Sequence, residues 1–245
     1  MNLAGLPIAP RRVALRRFAC PACGPSLLLR LGDDETQVRC LRCRGTPVHL
    51  ALVDALAVHV GDLSTLDAYE LSSSGAVLVH LRRRCRSVVA SELLEGVVAG
   101  ETHDGIRCED VQRLTFADAS FDLCTSTEVF EHVPDDRAGF RELHRVLRPG
   151  GHLVFTVPMG GGDTVERARL VDGRCVHLLP PAYHGDRLTG AQTVLVYRDY
   201  GDDILQRLRE CGFAEAMLHR PRQDQFGHTR TVVVALRDRI WRDRA

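Results

Sequence analysis

The chain has 245 residues, a formal net charge of zero at pH 7 and 44% hydrophobic residues, enough for one large domain or a small module joined to a medium one. The balanced charge excludes a general electrostatic attraction of the whole molecule to nucleic acid. No run approaches the roughly 20 apolar residues that span a bilayer, and the first residues lack the basic, apolar, small-residue order of a secretion leader, so a cytoplasmic protein with no membrane partner is expected.

The first fifty residues carry eight arginines against Asp33, Asp34 and Glu35, and no lysine occurs anywhere in the chain. Because the arginines fall everywhere, they read as coding bias rather than as a phosphate-binding signal. Within this segment Cys20-Pro-Ala-Cys23 is followed, after sixteen residues, by Cys40-Leu-Arg-Cys43. Two residues between cysteines let a tight turn present both sulfurs to one ion, and two such pairs make a tetrahedral zinc set. The intervening "SLLLRLGDDETQVR" reads as two short strands joined at Gly32-Asp33-Asp34, giving a zinc ribbon over residues 1–50. Two disulfides or free thiols are the competing readings, and the spacing favours the metal. A module this small does not fold on an apolar core alone, and four thiolates leave a local negative charge that Arg17, Arg39, Arg42 and Arg44 offset. Cys85, Cys108, Cys124, Cys175 and Cys211 are unpaired in sequence and read as buried, inert thiols.

From about residue 66, short apolar runs alternate with amphipathic stretches. "TLDAYEL", "SVVASE", "IRCED", "FDLCTST" and "GHLVFTVP" read as strands, and "AVLVHLRRRC" and "RAGFRELHRVLRPGG" as helices. This alternation predicts an α/β, doubly wound, mostly parallel sheet over residues 51–245, with ligands beyond the carboxyl ends of the strands. Glu70, Glu92 and Asp110 fall at three successive strand ends, where a ribose or an adenine amine would lie. A lone acidic residue there is an ordinary cap or a solvated charge, but three in register point to a site.

With "FDL…EVFEHVPD…ELHRVLRPGGHLVFTVP" as its most specific part, the stretch from about 66 to 158 resembles the class I S-adenosylmethionine-dependent methyltransferases. The resemblance implies a Rossmann-like seven-stranded sheet, its last two strands in "AEAMLHR" and "RTVVVALR". It implies S-adenosylmethionine as cofactor, with Glu70, Ser72 and Gly75 on the cofactor loop and Glu92 holding the ribose hydroxyls. Asp110 and Val111 fall at the adenine, and Ser126 falls under the methionine portion. In the loop Ser72 and Ser74 replace the family's first two glycines and Gly75 alone remains; glycine serves there for close approach and unusual dihedral angles. A dinucleotide oxidoreductase is disfavoured because the GxGxxG turn is absent.

Residues 159–200 are longer than a simple crossover, start with Gly160-Gly161-Gly162 and contain "PPAYHGD", which reads as a lid over the acceptor pocket. His132 in "EHVPD" and His184 with Tyr183 on the lid are the candidates for taking a proton from an acceptor; a helix cap for His132 and a lid pin for His184 are the structural alternatives. The leading expectation is therefore a methyltransferase acting on a small molecule or metabolite, with zinc in the ribbon. An RNA methyltransferase that grips nucleic acid through the ribbon's arginines and a binding module without turnover are the alternatives.

Overall fold

The computed structural model describes residues 12–185, 192–222 and 224–238. An antiparallel three-stranded ribbon comes first, made of β1 (Ala14–Cys20), β2 (Gly24–Arg30) and β3 (Val38–Cys40). Helix α1 (Pro47–His59) follows, then β4 (Asp67–Glu70), α2 (Ala76–Arg84), β5 (Ser87–Glu92), β6 (Thr102–His103), β7 (Ile106–Cys108), β8 (Phe121–Thr127), α3 (Asp136–Val146) and β9 (Leu147–Thr156). An excursion of short strands comes next: β10 (Val165–Glu166), β11 (Ala168–Val171), β12 (Arg174–His177), β13 (Tyr183–Gly185), β14 (Gln192–Leu195) and β15 (Arg198–Asp199). The chain closes with α4 (Ile204–Glu210), β16 (Glu215–His219) and β17 (Val232–Leu236).

The main sheet runs β16-β17-β9-β8-β4-β5-β7-β6. Pairings among β9, β8, β4, β5 and β7 are parallel, while β16, β17 and β6 join antiparallel. The sheet has eight strands where seven were expected, and the two-residue β6 lies at its edge. It forms because Asp104 and Gly105, both at positive φ, fold the chain back onto β7. Two further departures concern helices. Among the described residues none separates β5 from β7 or β7 from β8, and α1 spans the boundary expected at residue 50.

Helix α1 begins at Thr46-Pro47, proline at the first helical position costing no hydrogen bond. Its sides are apolar almost all round, which fits a helix covered on two flanks. Leu52, Ala55 and Leu56 join α2's Val77 and Leu81 against Leu123 and Val154 of the sheet. Leu50 instead packs with Leu28, Val38, Cys20 and Cys40 of the ribbon. On the opposite sheet face α3 supplies Phe140, Leu143 and Val146, and α4 supplies Ile204 and Leu208. Asp135 caps α3 by accepting from the Ala138 amide at 2.9 Å.

A buried ionic knot fastens the excursion to this body. The Arg198 side chain is 2% exposed and donates to the carbonyls of Val133 (2.5 Å), Pro134 (2.6 Å) and Phe130 (3.3 Å). Asp136 lies 3.9 Å from it, takes two bonds from Arg207 at 3.1 Å and one from the Tyr200 hydroxyl at 2.9 Å. Burial alone would raise the Asp136 carboxyl, but the guanidiniums of Arg198 and Arg207 outweigh it and hold the group below its usual range. Removing one partner from such a buried set typically costs about 3–5 kcal/mol. Arg198→Met is therefore expected to lower unfolding free energy by about that amount in urea titrations at pH 7. Because the folded Asp136 carboxyl is depressed, its contribution is present above the unfolded value of about 3.9 and is lost as pH falls through the folded one; a pH series of parent midpoints checks this.

Candidate functional site

From β4 the chain moves outward through β5 and β7, then returns to place β8 and β9 on β4's other side. This reversal creates a crevice at the carboxyl ends of β4 and β8, the position where open α/β sheets bind ligands. A cavity of about 330 Å³ opens there, within the ~300–1,000 Å³ range of small-ligand sites. Ser72, Ser74, Glu92, Asp110, Val111 and His132 all line it.

The loop after β4 departs from an all-glycine pattern without strain. Of its residues 72–75 only Gly75 has positive φ, at 109°, immediately before α2. Glycine thus stands at the one position that requires it, and Ser72, Ser73 and Ser74 occupy ordinary backbone. Ser73 donates from its amide (2.8 Å) and hydroxyl (3.0 Å) to Glu92 Oε1, so the serine loop and the acid at the end of β5 hold each other in place. Asp110 Oδ1 accepts from the Gln112 amide at 2.9 Å and its side-chain nitrogen at 3.0 Å, fixing the turn beside Val111.

Three expected cofactor positions lie behind the cavity wall. The Glu70 carboxylate is 1% exposed and accepts from the Thr125 hydroxyl; it braces β4 against β8. Gly75 is not among the wall residues and sets the turn into α2. Ser126 is fully buried within β8, and the wall there is built by Thr127, Glu128 and Val129 instead. Glu128 has φ 53°, a conformation non-glycine residues seldom adopt. Glu109 also lines the cavity, its buried carboxylate held by Arg107 Nε (2.8 Å) and by Thr115 through its amide (2.9 Å) and hydroxyl (2.6 Å).

His132 ends a short 3-10 turn, Phe130–His132, after β8. Its Nδ1 lies 2.8 Å from the Leu195 carbonyl and must donate to it, which leaves Nε2 with the lone pair when the ring is neutral. Burial lowers the His132 pKa; the Leu195 contact opposes that shift, and His184 adds to it. His132 Nε2 faces His184 Nδ1 at 3.2 Å, and Glu131 Oε1 lies 3.7 Å from each of these nitrogens. Although it is not among the residues lining the cavity, His184 is thus brought to His132. Tyr183 is not: its side chain is exposed and outside the cavity wall. Glu131 was not expected in any role. Its place beside His132 in "FEHVPD" was the available signal.

In the ribbon the four cysteine sulfurs lie within 4.8 Å of one another, with Cys20–Cys43 and Cys23–Cys40 each at 3.6 Å. All four are thiols. Zn–S bonds of about 2.3 Å in a tetrahedron place sulfurs about 3.8 Å apart, so the donor set fits zinc. The contact between Cys20 and Cys43 raises the first thiol and draws the second down to about 5, as expected when crowded sulfurs cannot all ionise without a cation. The surplus arginines partly serve the fold here: Arg42 donates to the Cys23 carbonyl at 2.8 Å and Arg39 to that of Thr36 at 2.6 Å.

Residues 71–155, which contain every wall segment except those from β4 and the excursion, match the family described as Methyltransferase domain. An uncharacterized methyltransferase of Mycobacterium sp. (strain KMS) is 36% identical over 96 residues, covering 37% of this chain and 34% of that protein. Demethylmenaquinone methyltransferase of Mycolicibacterium vanbaalenii is 37% identical over 110 residues, covering 39% of this chain and 48% of that protein. The match thus spans about a third to a half of these relatives' length. Among solved structures, the 1,6-didemethyltoxoflavin-N1-methyltransferase of Burkholderia thailandensis, with bound 1,6-didemethyltoxoflavin and S-adenosylhomocysteine, shares 20% identity and a TM-score of 0.49, covering 75% of each chain.

The loop geometry sets a stability test. Gly75→Ala must place a side chain at φ 109°, ψ 173°, a region essentially reserved for glycine, at a cost of order 1–3 kcal/mol. Ser74→Ala is expected to stay within about 0.5 kcal/mol of the parent, and equilibrium denaturation of the two variants side by side checks both.

Proposed function

We propose that the protein is an S-adenosylmethionine-dependent methyltransferase acting on a small molecule or metabolite, with a structural zinc ion in its N-terminal ribbon. The observation that carries this reading is the arrangement of Glu92 and Asp110-Val111 at successive strand ends around one cavity that also contains the serine loop. Glu92 is placed to accept the two ribose hydroxyls, Asp110 and Val111 to flank the adenine, and Ser72 and Ser74 to meet the amino-acid end. The methyltransferase domain over 71–155 supports the same assignment.

Methyl transfer from a sulfonium is an in-line displacement, so the chain's task is to align two partners, exclude water and manage the acceptor's proton. The excursion serves as the lid: it brings Gly185 and Val194 to the cavity rim and His184 to His132. A neutral His132 at that rim is the group best placed to relieve the acceptor of a proton. The zero net charge and the long lid favour a small acceptor over RNA.

Two measurements test the reading. Calorimetry is expected to show S-adenosylmethionine binding to the parent, with Glu92→Ala weaker by about 1.5–3 kcal/mol, ten-fold or more; binding as tight as the parent's removes Glu92 from the site. Elemental analysis of protein purified without chelator is expected to show one zinc equivalent per chain fewer in Cys40→Ser than in the parent. Equal zinc in the two would remove the metal from the ribbon.

A further inference from the structure

We propose that Glu131, His132 and His184 form a second metal site, for a catalytic divalent cation at the rim of the cavity. Among the described residues they are, with the ribbon cysteines, one of two clusters whose donor atoms lie within 4.8 Å of one another. The separations of 3.2, 3.7 and 3.7 Å are close to the roughly 3.0–3.5 Å that donors about 2.1 Å from a shared ion would show. A shift of a few tenths of an ångström in the Glu131 carboxylate, which is common to both 3.7 Å separations, closes the difference.

Contacts from the excursion orient the donors. The Leu195 carbonyl holds the Nδ1 proton of His132 and so points the Nε2 lone pair at the cluster, the arrangement in which a ligating imidazole is fixed by its other nitrogen. Glu131 is 1% exposed, and its backbone carbonyl accepts from the Tyr197 amide at 2.7 Å, so its carboxylate is delivered by the same clasp that brings Leu195 to His132. His184 comes from β13 on the excursion. Two donors therefore belong to the body and the third to the lid, and the site is complete only with the lid in place.

Two imidazoles and one carboxylate leave coordination positions open, as in catalytic rather than structural sites. The donor set suits Mn²⁺, Fe²⁺, Co²⁺ or Zn²⁺ and disfavours Ca²⁺ and Mg²⁺, which take oxygen ligands. For the chemistry, though not for the binding, this inference rests on the methyltransferase reading. With Nε2 of His132 committed to the ion, His132 is a ligand and not the base. An acceptor hydroxyl at the rim would become more acidic and lose its proton to solvent, in place of the direct transfer to His132 that the metal-free site would make. Its oxygen then forms the new O–CH₃ bond as the C–S bond breaks, and sulfur keeps the electron pair as a thioether. One proton is released per methyl group moved. The acceptor class is accordingly an alcohol or phenol.

The test counts metal without needing an acceptor. Parent, His184→Ala and Glu131→Gln proteins are dialysed against Mn²⁺, passed through a desalting column and analysed for all divalent metals, with S-adenosylmethionine affinity measured on the same samples. The parent is expected to hold one metal equivalent more than either variant, while cofactor affinity changes less than two-fold. Equal metal content in parent and variants overturns the site. A parent that carries the extra equivalent but binds no S-adenosylmethionine would instead defeat the methyltransferase reading and leave the site standing.

Discussion

The geometry of the site depends on one buried cation. Arg198 has almost no contact with water, yet it carries a full charge, and a buried charge is tolerated only when it is paired and its donors are satisfied. Asp136 supplies the opposite charge from the first turn of α3, 3.9 Å from Nε, and the carbonyls of Phe130, Val133 and Pro134 take donors from the two terminal nitrogens. Those carbonyls flank His132. The excursion therefore cannot reach its place without ordering the turn that presents His132, and the turn cannot lose its shape without exposing a charge. Tyr200 extends the constraint, since its hydroxyl binds Asp136 while its backbone bridges Met159 and closes the excursion's two ends together.

The serine loop follows a different logic. A glycine-rich loop is read for two properties, left-handed backbone and room for a ligand, and only the first is absolute. In this chain the loop spends its one positive φ at Gly75 and leaves serines where the backbone is ordinary. The hydroxyl of Ser73 then ties the loop to Glu92. The substitution pattern rigidifies the cradle, replacing backbone freedom with a side-chain bond to the residue that faces the ribose in the proposed reading.

Much of this was legible in the sequence, for identifiable reasons. Strand β5, half-buried, occurs at the residues read from "SVVASE", and β8 at those read from "FDLCTST", because a buried parallel strand is a near-continuous apolar run with polar ends. The same property hid which side chains face the cavity. With both faces of β8 buried, periodicity does not tell Ser126 from Thr127, and the first points into the protein while the second lines the wall. Glu70 shows the corresponding limit for acids: a carboxylate at a strand end was read as a ligand group, but Thr125 on the neighbouring strand, distant in sequence, claims it. Helix α1 escaped notice because a helix covered by the ribbon on one flank and the sheet on the other lacks a polar face. The Glu131–His132–His184 cluster was half visible, since the third member arrives from 52 positions away only when the excursion folds back.

The ribbon, finally, is not a detached appendage. Arg230, just before β17, contacts Glu35 in the ribbon and Glu128 on the cavity wall, the latter at 3.3 Å. Leu50 of α1 is packed against Cys20 and Cys40 of the ribbon, while Leu52 and Leu56, on the same helix, sit on the sheet. Loss of the ion proposed for the ribbon would therefore be felt at the helix that covers one sheet face and, through Arg230, at a wall residue held in an unfavourable backbone conformation. Four soft sulfur donors close around an ion and leave nothing open, which suits a device for holding shape. Two imidazoles and a carboxylate at the rim leave positions open, which suits a device for chemistry. In the proposed reading cysteine serves the first purpose and histidine the second, and the Arg230 contacts join the ribbon to the cavity wall.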